Sequence, residues 1–204
     1  MRASWRQAES FVVVDTETGG FSPRRDAVMQ IAAVYYVGGR SHDSFETLVK
    51  PARGLRVTER AVAVHGIQLE RAMDEGLEEA EAFRRLQAFY EKNTGCRKDK
   101  EKRPWTIGQN VKFDIDFLYQ VGERVRTPLW YFVDPAKVLD VLQFYRSAQY
   151  VGLAPSGSGK LEVMAKGLGV PVVKLHDALE DCRATAAVFL ELRRRFLHRI
   201  ENGG

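Results

Sequence analysis

A chain of 204 residues, 45% hydrophobic and 28% charged, can build one domain with a sizeable core, and its composition excludes a fibrous or largely disordered protein. Lys and Arg number 31 against 27 Asp and Glu, a formal +4 that permits a polyanionic partner without demanding one. Two cysteines, Cys96 and Cys182, without CxxC spacing argue against a disulfide framework or a zinc site. The expected compartment is a reducing cytoplasm. The only early apolar run is too short for a signal segment or a membrane span.

That run, Phe11-Val12-Val13-Val14, predicts a strand buried on both faces. It ends in Asp15-Thr16-Glu17-Thr18 and a Gly19-Gly20 turn. Side chains two apart on a strand share a face, so Asp15 and Glu17 stand side by side where the strand stops. Two like charges held there are costly unless a cation lies between them. After a loop, strands are expected over 28–37 and 44–50, making an antiparallel meander. Thr58 should cap a short helix that reaches Val64 and runs into His65-Gly66-Ile67, and 77–92 has the period of a longer one.

Residues 93–104 form a highly charged loop, readable either as a solvated connection or as a basic arm in which Arg97, Lys98, Lys100, Lys102 and Arg103 follow phosphates. A short strand over 105–108 then leads through Asn110 into a helix over 111–125. Here Asp114 occupies the first turn, Phe113 and Phe117 anchor it, and Asp116 is read as solvated. A strand within 131–140 and helices over 141–150 and 160–167 follow. The intervening Gly157-Ser158-Gly159-Lys160 imitates half of a phosphate-binding P-loop. Ala154 and Leu161 break that pattern, so it is read as a flexible loop and a nucleoside triphosphatase is rejected. The last helix begins at Asp177, with Glu180 completing a capping box. His176 then lies just before that helix and Asp181 one turn inside it. Taken alone, His42, His65 and His198 read as structural. Early strands followed by strand–helix alternation predict an α/β fold with a mixed sheet.

Three segments, Asp15-x-Glu17, Asn110-x-x-Phe113-Asp114 and His176-x-Ala178-x-x-Asp181, resemble in identity and order the three motifs of the DEDDh exonucleases. That is the DnaQ-like branch of the ribonuclease H-like superfamily, and the resemblance spans roughly 10–197. Phe21-Ser22-Pro23 and Asp26-Ala27 are similar to the ribonuclease T group, and the polymerase III proofreading subunits are the other near group. The resemblance implies one exonuclease domain over 1–204 with a ribonuclease H-like mixed sheet flanked by helices. It implies a 3′→5′ exonuclease acting on single-stranded DNA or RNA 3′ ends, with DNA placed first, and releasing nucleoside 5′-monophosphates.

By the same resemblance, Asp15, Glu17 and Asp181 bind metal directly and Asp114 directly or through water. His176 is the general base. The cofactor is a pair of Mg²⁺ ions about 3.5–4 Å apart, replaceable by Mn²⁺, because hard ions prefer carboxylate oxygen. Thr16, Thr18 and His65 fall where such enzymes hold the terminal nucleotide. Phe21 either stacks on a base or closes the core, and Asn110 ties its loop to substrate or to a neighbouring strand. Arg193-Arg194-Arg195 is expected on an exposed helix face. Possible protein partners are a polymerase or a second copy. With the chain ending at Gly204, a free-standing enzyme is the expectation. The rival readings are an RNA 3′-end trimming exoribonuclease and a non-catalytic nucleic-acid-binding module on the same fold.

Overall fold

A computed structural model describes residues 10–97, 99–171 and 177–203. Strands β1 (Ser10–Thr18), β2 (Val28–Val37) and β3 (Arg40–Leu48) form the antiparallel meander. Strands β4 (Trp105–Gly108) and β5 (Val138–Asp140) run parallel to β1, giving the order β3-β2-β1-β4-β5. The helices are α1 (Glu59–His65), α2 (Leu69–Glu75), α3 (Glu79–Thr94), α4 (Lys112–Arg124), α5 (Val141–Tyr150), α6 (Leu161–Leu168) and α7 (Ala178–Gly203). The mixed sheet with helices on both faces is the predicted ribonuclease H-like arrangement. Among the described residues no helix is long and apolar enough to cross a membrane.

Both faces of the central strands are covered, which is why their sequences are nearly continuously apolar. Val12 and Val14 point to the side packed by α3 and α4, with Phe83, Leu86, Tyr90, Phe117 and Leu118. Phe11 and Val13 point to the side packed by α5, α6 and α7. There α7 presents Ala178, Cys182 and Ala186, all fully buried and one helical turn apart. These small side chains let the helix lie close on the sheet, and the Cys182 Sγ reaches the carbonyls of Val13 and Ala32 at 3.7 Å. The edge strand β3 carries Arg40, His42, Asp43 and Glu46, charge that discourages pairing with another chain.

Several sequence expectations are corrected. The third strand begins at Arg40, four residues early, and stops at Leu48. The helix expected from Leu77 begins at Glu79 because the Leu77 backbone is bridged to β3: its N–H donates to Leu48 and its carbonyl accepts from Lys50. Most of the strand expected over 131–140 is two 3₁₀ turns, Leu129–Tyr131 and Pro135–Lys137, leaving only Val138–Asp140 paired. Helix α2 had no periodic signal. Asn93 and Thr94, placed in the charged loop, finish α3, with their side chains on the Phe89 and Tyr90 carbonyls. That loop feeds the start of β4, where Trp105 lies beside Phe11. It therefore sits at the end of the sheet away from Asp15 and Glu17, and a phosphate-tracking role at the carboxylates does not follow; Lys98 itself lies outside the described residues. Finally, the triple arginine is not one exposed face. Arg195 turns inward and donates to the carbonyls of Leu153 and Leu168, while Glu191 accepts from both Arg194 and Arg195.

Candidate active site

The site forms where β1 outruns its parallel neighbour. Pairing with β4 ends at Val13–Ile107, while β1 continues to Thr18 against β2 alone. Past that point the Thr16 amide has no β4 partner, and a buried N–H needs one. Asp114, in the first turn of α4 and 4% exposed, supplies it. Its Oδ1 accepts from the Thr16 amide at 2.9 Å and from the Thr16 hydroxyl at 2.8 Å. The chain reaches α4 through Asn110, whose φ of 56° is a left-handed conformation that asparagine tolerates. The Asn110 amide donates to Asp140 Oδ1 at 3.0 Å. Of its two expected roles, Asn110 is therefore seen in the tie to the neighbouring strand.

Asp181 arrives from the opposite face of the sheet on α7. Carboxylate oxygens of Asp15, Glu17 and Asp181 lie within 4.8 Å of one another, a spacing at which one cation can be held by all three. The α7 start is set as the capping box predicts, with the Glu180 amide donating to Asp177 Oδ1. His176 lies outside the described residues. Asp116, by contrast, points away and pairs with Lys112.

The electrostatics show acids crowded and partly buried together. Burial pushes the Asp15 carboxyl well above its usual range, and Asp114, Glu17, Asp181 and Asp177 push it further. Glu17 is raised to about 7 by burial and then by Asp181, Asp114 and Asp177. Asp114 is also raised to about 7, chiefly by burial, with the Thr16 hydrogen bonds pulling the other way. No neighbour of Asp15 or Glu17 lowers its pKa. Hard oxygen donors crowded to this degree fit a divalent metal ion.

Beside Glu17 a cavity of about 230 Å³ opens between β1 and α1, lined by Thr16, Thr18, Phe21, Arg60, His65 and Phe113 among others. Phe21 is 77% exposed, which overturns the core-closing alternative. Its ring meets Phe113 edge-on at 6.4 Å, and the Arg60 guanidinium lies 5.8 Å from its centroid. The Phe21 loop is held from behind. Arg56 forks onto Asp26 Oδ1 at 2.9 and 2.7 Å, and Asp26 Oδ2 accepts from the Ser22 amide. Gly19 is required in this loop, since a Cβ there would stand 2.3 Å from the Arg56 carbonyl.

Thr16 and Thr18 line the cavity, but their hydroxyl protons are committed to Asp114 and to the Gly20 carbonyl. Toward a nucleotide these hydroxyls remain acceptors. His65 ends α1 with Nδ1 accepting from the Ile67 amide, and burial lowers its pKa. It thus serves the wall of the cavity as well as the fold. Arg60 and Phe113 were not among the sequence candidates for this cavity. Phe113 has the helical spacing of a core residue, and nothing in the sequence ties Arg60 to Phe21.

An exonuclease family model of the RNase T type matches residues 12–189. The DNA polymerase III subunit epsilon-like protein of Rhodobacter capsulatus is 33% identical over 190 residues, covering 90% of this chain and 23% of that protein. Ribonuclease T of Cronobacter sakazakii is 28% identical over 196 residues, covering 91% of this chain and 82% of that one. Among solved structures, E. coli exonuclease I in complex with a dT13 oligonucleotide superposes with a TM-score of 0.79 at 22% identity, over 95% of this chain and 43% of that one. The chain therefore spans less than half of the exonuclease I chain and about a quarter of the epsilon-like protein. With a family model covering most of its length, the chain belongs to the RNase T-type exonuclease family.

Proposed function

We propose that this chain is a metal-dependent 3′→5′ exonuclease of DEDDh type, which hydrolyses the terminal phosphodiester of single-stranded nucleic acid, DNA first, and releases nucleoside 5′-monophosphates. The observation that carries this reading is the meeting of Asp15, Glu17 and Asp181, with Asp114 behind them, beside a cavity that ends at an exposed phenylalanine. Asp15, Glu17 and Asp181 would hold the divalent ions, a pair of Mg²⁺ or Mn²⁺, with Asp114 binding directly or through water. When bound, such ions align an attacking water and stabilise the leaving 3′ oxygen. Thr16 fixes the Asp114 carboxylate with two hydrogen bonds, so that acid cannot turn away from the cluster. His176 takes the proton of the attacking water, since an imidazole titrates near neutrality while the acids are occupied. The terminal nucleoside lies in the cavity beside Glu17, its base against Phe21.

The test is degradation of matched 5′-labelled DNA and RNA oligonucleotides in Mg²⁺ and in EDTA. Stepwise shortening from the 3′ end in Mg²⁺, with nucleoside 5′-monophosphate as the other product, is the expected result. Binding without cleavage would instead identify a non-catalytic module. The second reading, trimming of RNA 3′ ends, draws on the 82% coverage of a ribonuclease T. Faster shortening of the RNA than of the DNA would select it. Stacking of a base on an aromatic ring contributes about 1–3 kcal/mol. Phe21→Ala should therefore raise KM by roughly 5- to 150-fold with a smaller change in kcat, and with similar losses for all four terminal bases.

A further inference from the structure

A second cavity, of about 650 Å³, meets the carboxylates from the α5–α6 side. It shares no lining residue with the cavity that holds Phe21: that one includes Glu17, and this one includes Asp15 and Asp181. Besides the acids its lining includes Arg146 from α5 and Lys160 at the start of α6. Both side chains are exposed, and neither forms an ion pair among the described residues. Glu162 is the remaining acid, so beyond Asp15 and Asp181 the lining carries two cations and one anion.

Lys160 ends the Gly-Ser-Gly-Lys stretch that imitates a P-loop, and that stretch is pinned, contrary to the flexible loop expected from sequence. The Tyr145 hydroxyl and the Gln149 amide donate to the Pro155 carbonyl at 2.9 and 2.8 Å, and the Gln109 amide donates to the Gly159 carbonyl at 2.9 Å. A Cβ at Gly159 would stand 2.2 Å from the Leu142 Cδ1, so a larger residue there would have to turn that side chain aside. Gln109 directly follows β4, so the sheet end itself sets the position of Lys160.

We infer that this second cavity, through Arg146 and Lys160, binds the phosphates of the strand on the 5′ side of the cleaved bond. This rests on the exonuclease reading, which puts the terminal nucleoside in the other cavity and the bond to be cut at the carboxylates between them. A route for the next nucleotides then runs past Asp15 and Asp181 to Arg146 and Lys160. Two cations on flexible stems contact phosphate without reading bases, so the grip is independent of sequence and weakened by salt.

The test uses the full chain carrying Asp15→Asn, which leaves a labelled hexathymidylate intact, and measures binding by fluorescence anisotropy over a salt series. Adding R146Q and K160Q together should weaken binding by about tenfold and make the slope of log K against log[salt] shallower by about 1.4, about 0.7 for each lost contact to a single strand. A hexamer with neutral methylphosphonates at the second and third linkages from the 3′ end should bind the Asp15→Asn chain about as poorly. The double variant should then lose little more on that probe, because both changes remove the same interaction. Unchanged affinity and slope in the double variant, or losses that simply add, would overturn the inference. Consumption of the probe by the Asp15→Asn chain would refute the place of Asp15 in the site, and failure of the wild-type chain to shorten the probe in Mg²⁺ would refute the exonuclease reading, so the failures are distinct.

Discussion

Asp15→Asn should abolish hydrolysis and at the same time raise the melting temperature of the metal-free protein. The loss of activity follows from removing a central oxygen donor of the cluster. Ligands that hold catalytic ions account for several kcal/mol of transition-state stabilisation, on the order of 10³-fold or more in rate. The gain in stability follows from the same crowding. Asp15 is buried against Asp114, Glu17 and Asp181, so its ionised form is disfavoured in the fold and less so in the unfolded chain. An amide of the same shape removes that repulsion, and the melting temperature should rise by a few °C.

The pH dependence has a definite sign. Glu17 and Asp114 have folded-state values near 7, above their ordinary ones. Their contribution favours folding at low pH and is lost as pH rises through about 7. In EDTA the wild-type protein should therefore melt higher at pH 5.5 than at pH 8. With Mg²⁺ or Mn²⁺ the order should reverse, because cations bind the deprotonated cluster and stabilise the fold by mass action. Calorimetry of the wild type and Asp15→Asn in both buffers decides it. A variant that melts lower than the wild type in EDTA would contradict the account of Asp15 as a crowded, buried charge.

His176→Ala should slow the chemical step by about 10²- to 10⁴-fold, the usual worth of a positioned proton acceptor, and leave metal binding in place. The four acids cannot substitute for it: once they hold cations their lone pairs are committed. Single-turnover cleavage should carry the whole loss. The Mn²⁺ affinity of the variant, titrated calorimetrically, should match that of the wild type within a few-fold. A fall in metal affinity as large as the fall in rate would make His176 a ligand instead of a base.

The acids of the site were legible in the sequence because each sits at a position that backbone geometry fixes. Asp15 and Glu17 alternate on one strand, Asp114 opens a helix after a strand end, and Asp181 follows a cap by one turn. The meander and the sheet class were legible for the same reason, since period and turn residues determine them locally. What lay outside that reach depends on packing between distant loops. Arg60 lies over Phe21 only because the Arg56–Asp26 pair folds one loop against the start of α1. Lys160 shares a cavity with Asp15 because Gln109 holds the Gly159 carbonyl of its loop. Phe113 was assigned to the core by its spacing from Phe117, yet the half-buried ring also reaches the rim of the cavity. Leu77 shows the opposite failure, an apolar residue in helical phase whose backbone is taken by a strand.

The acids come from both sides of the sheet, Asp114 with the α4 layer and Asp181 with the α7 layer, while Asp15 and Glu17 belong to the strand between them. Neither half of the molecule carries the set. On the exonuclease reading, the chain gains cutting power only once α7 has docked, and any fluctuation that lifts that helix from the sheet disarms it again.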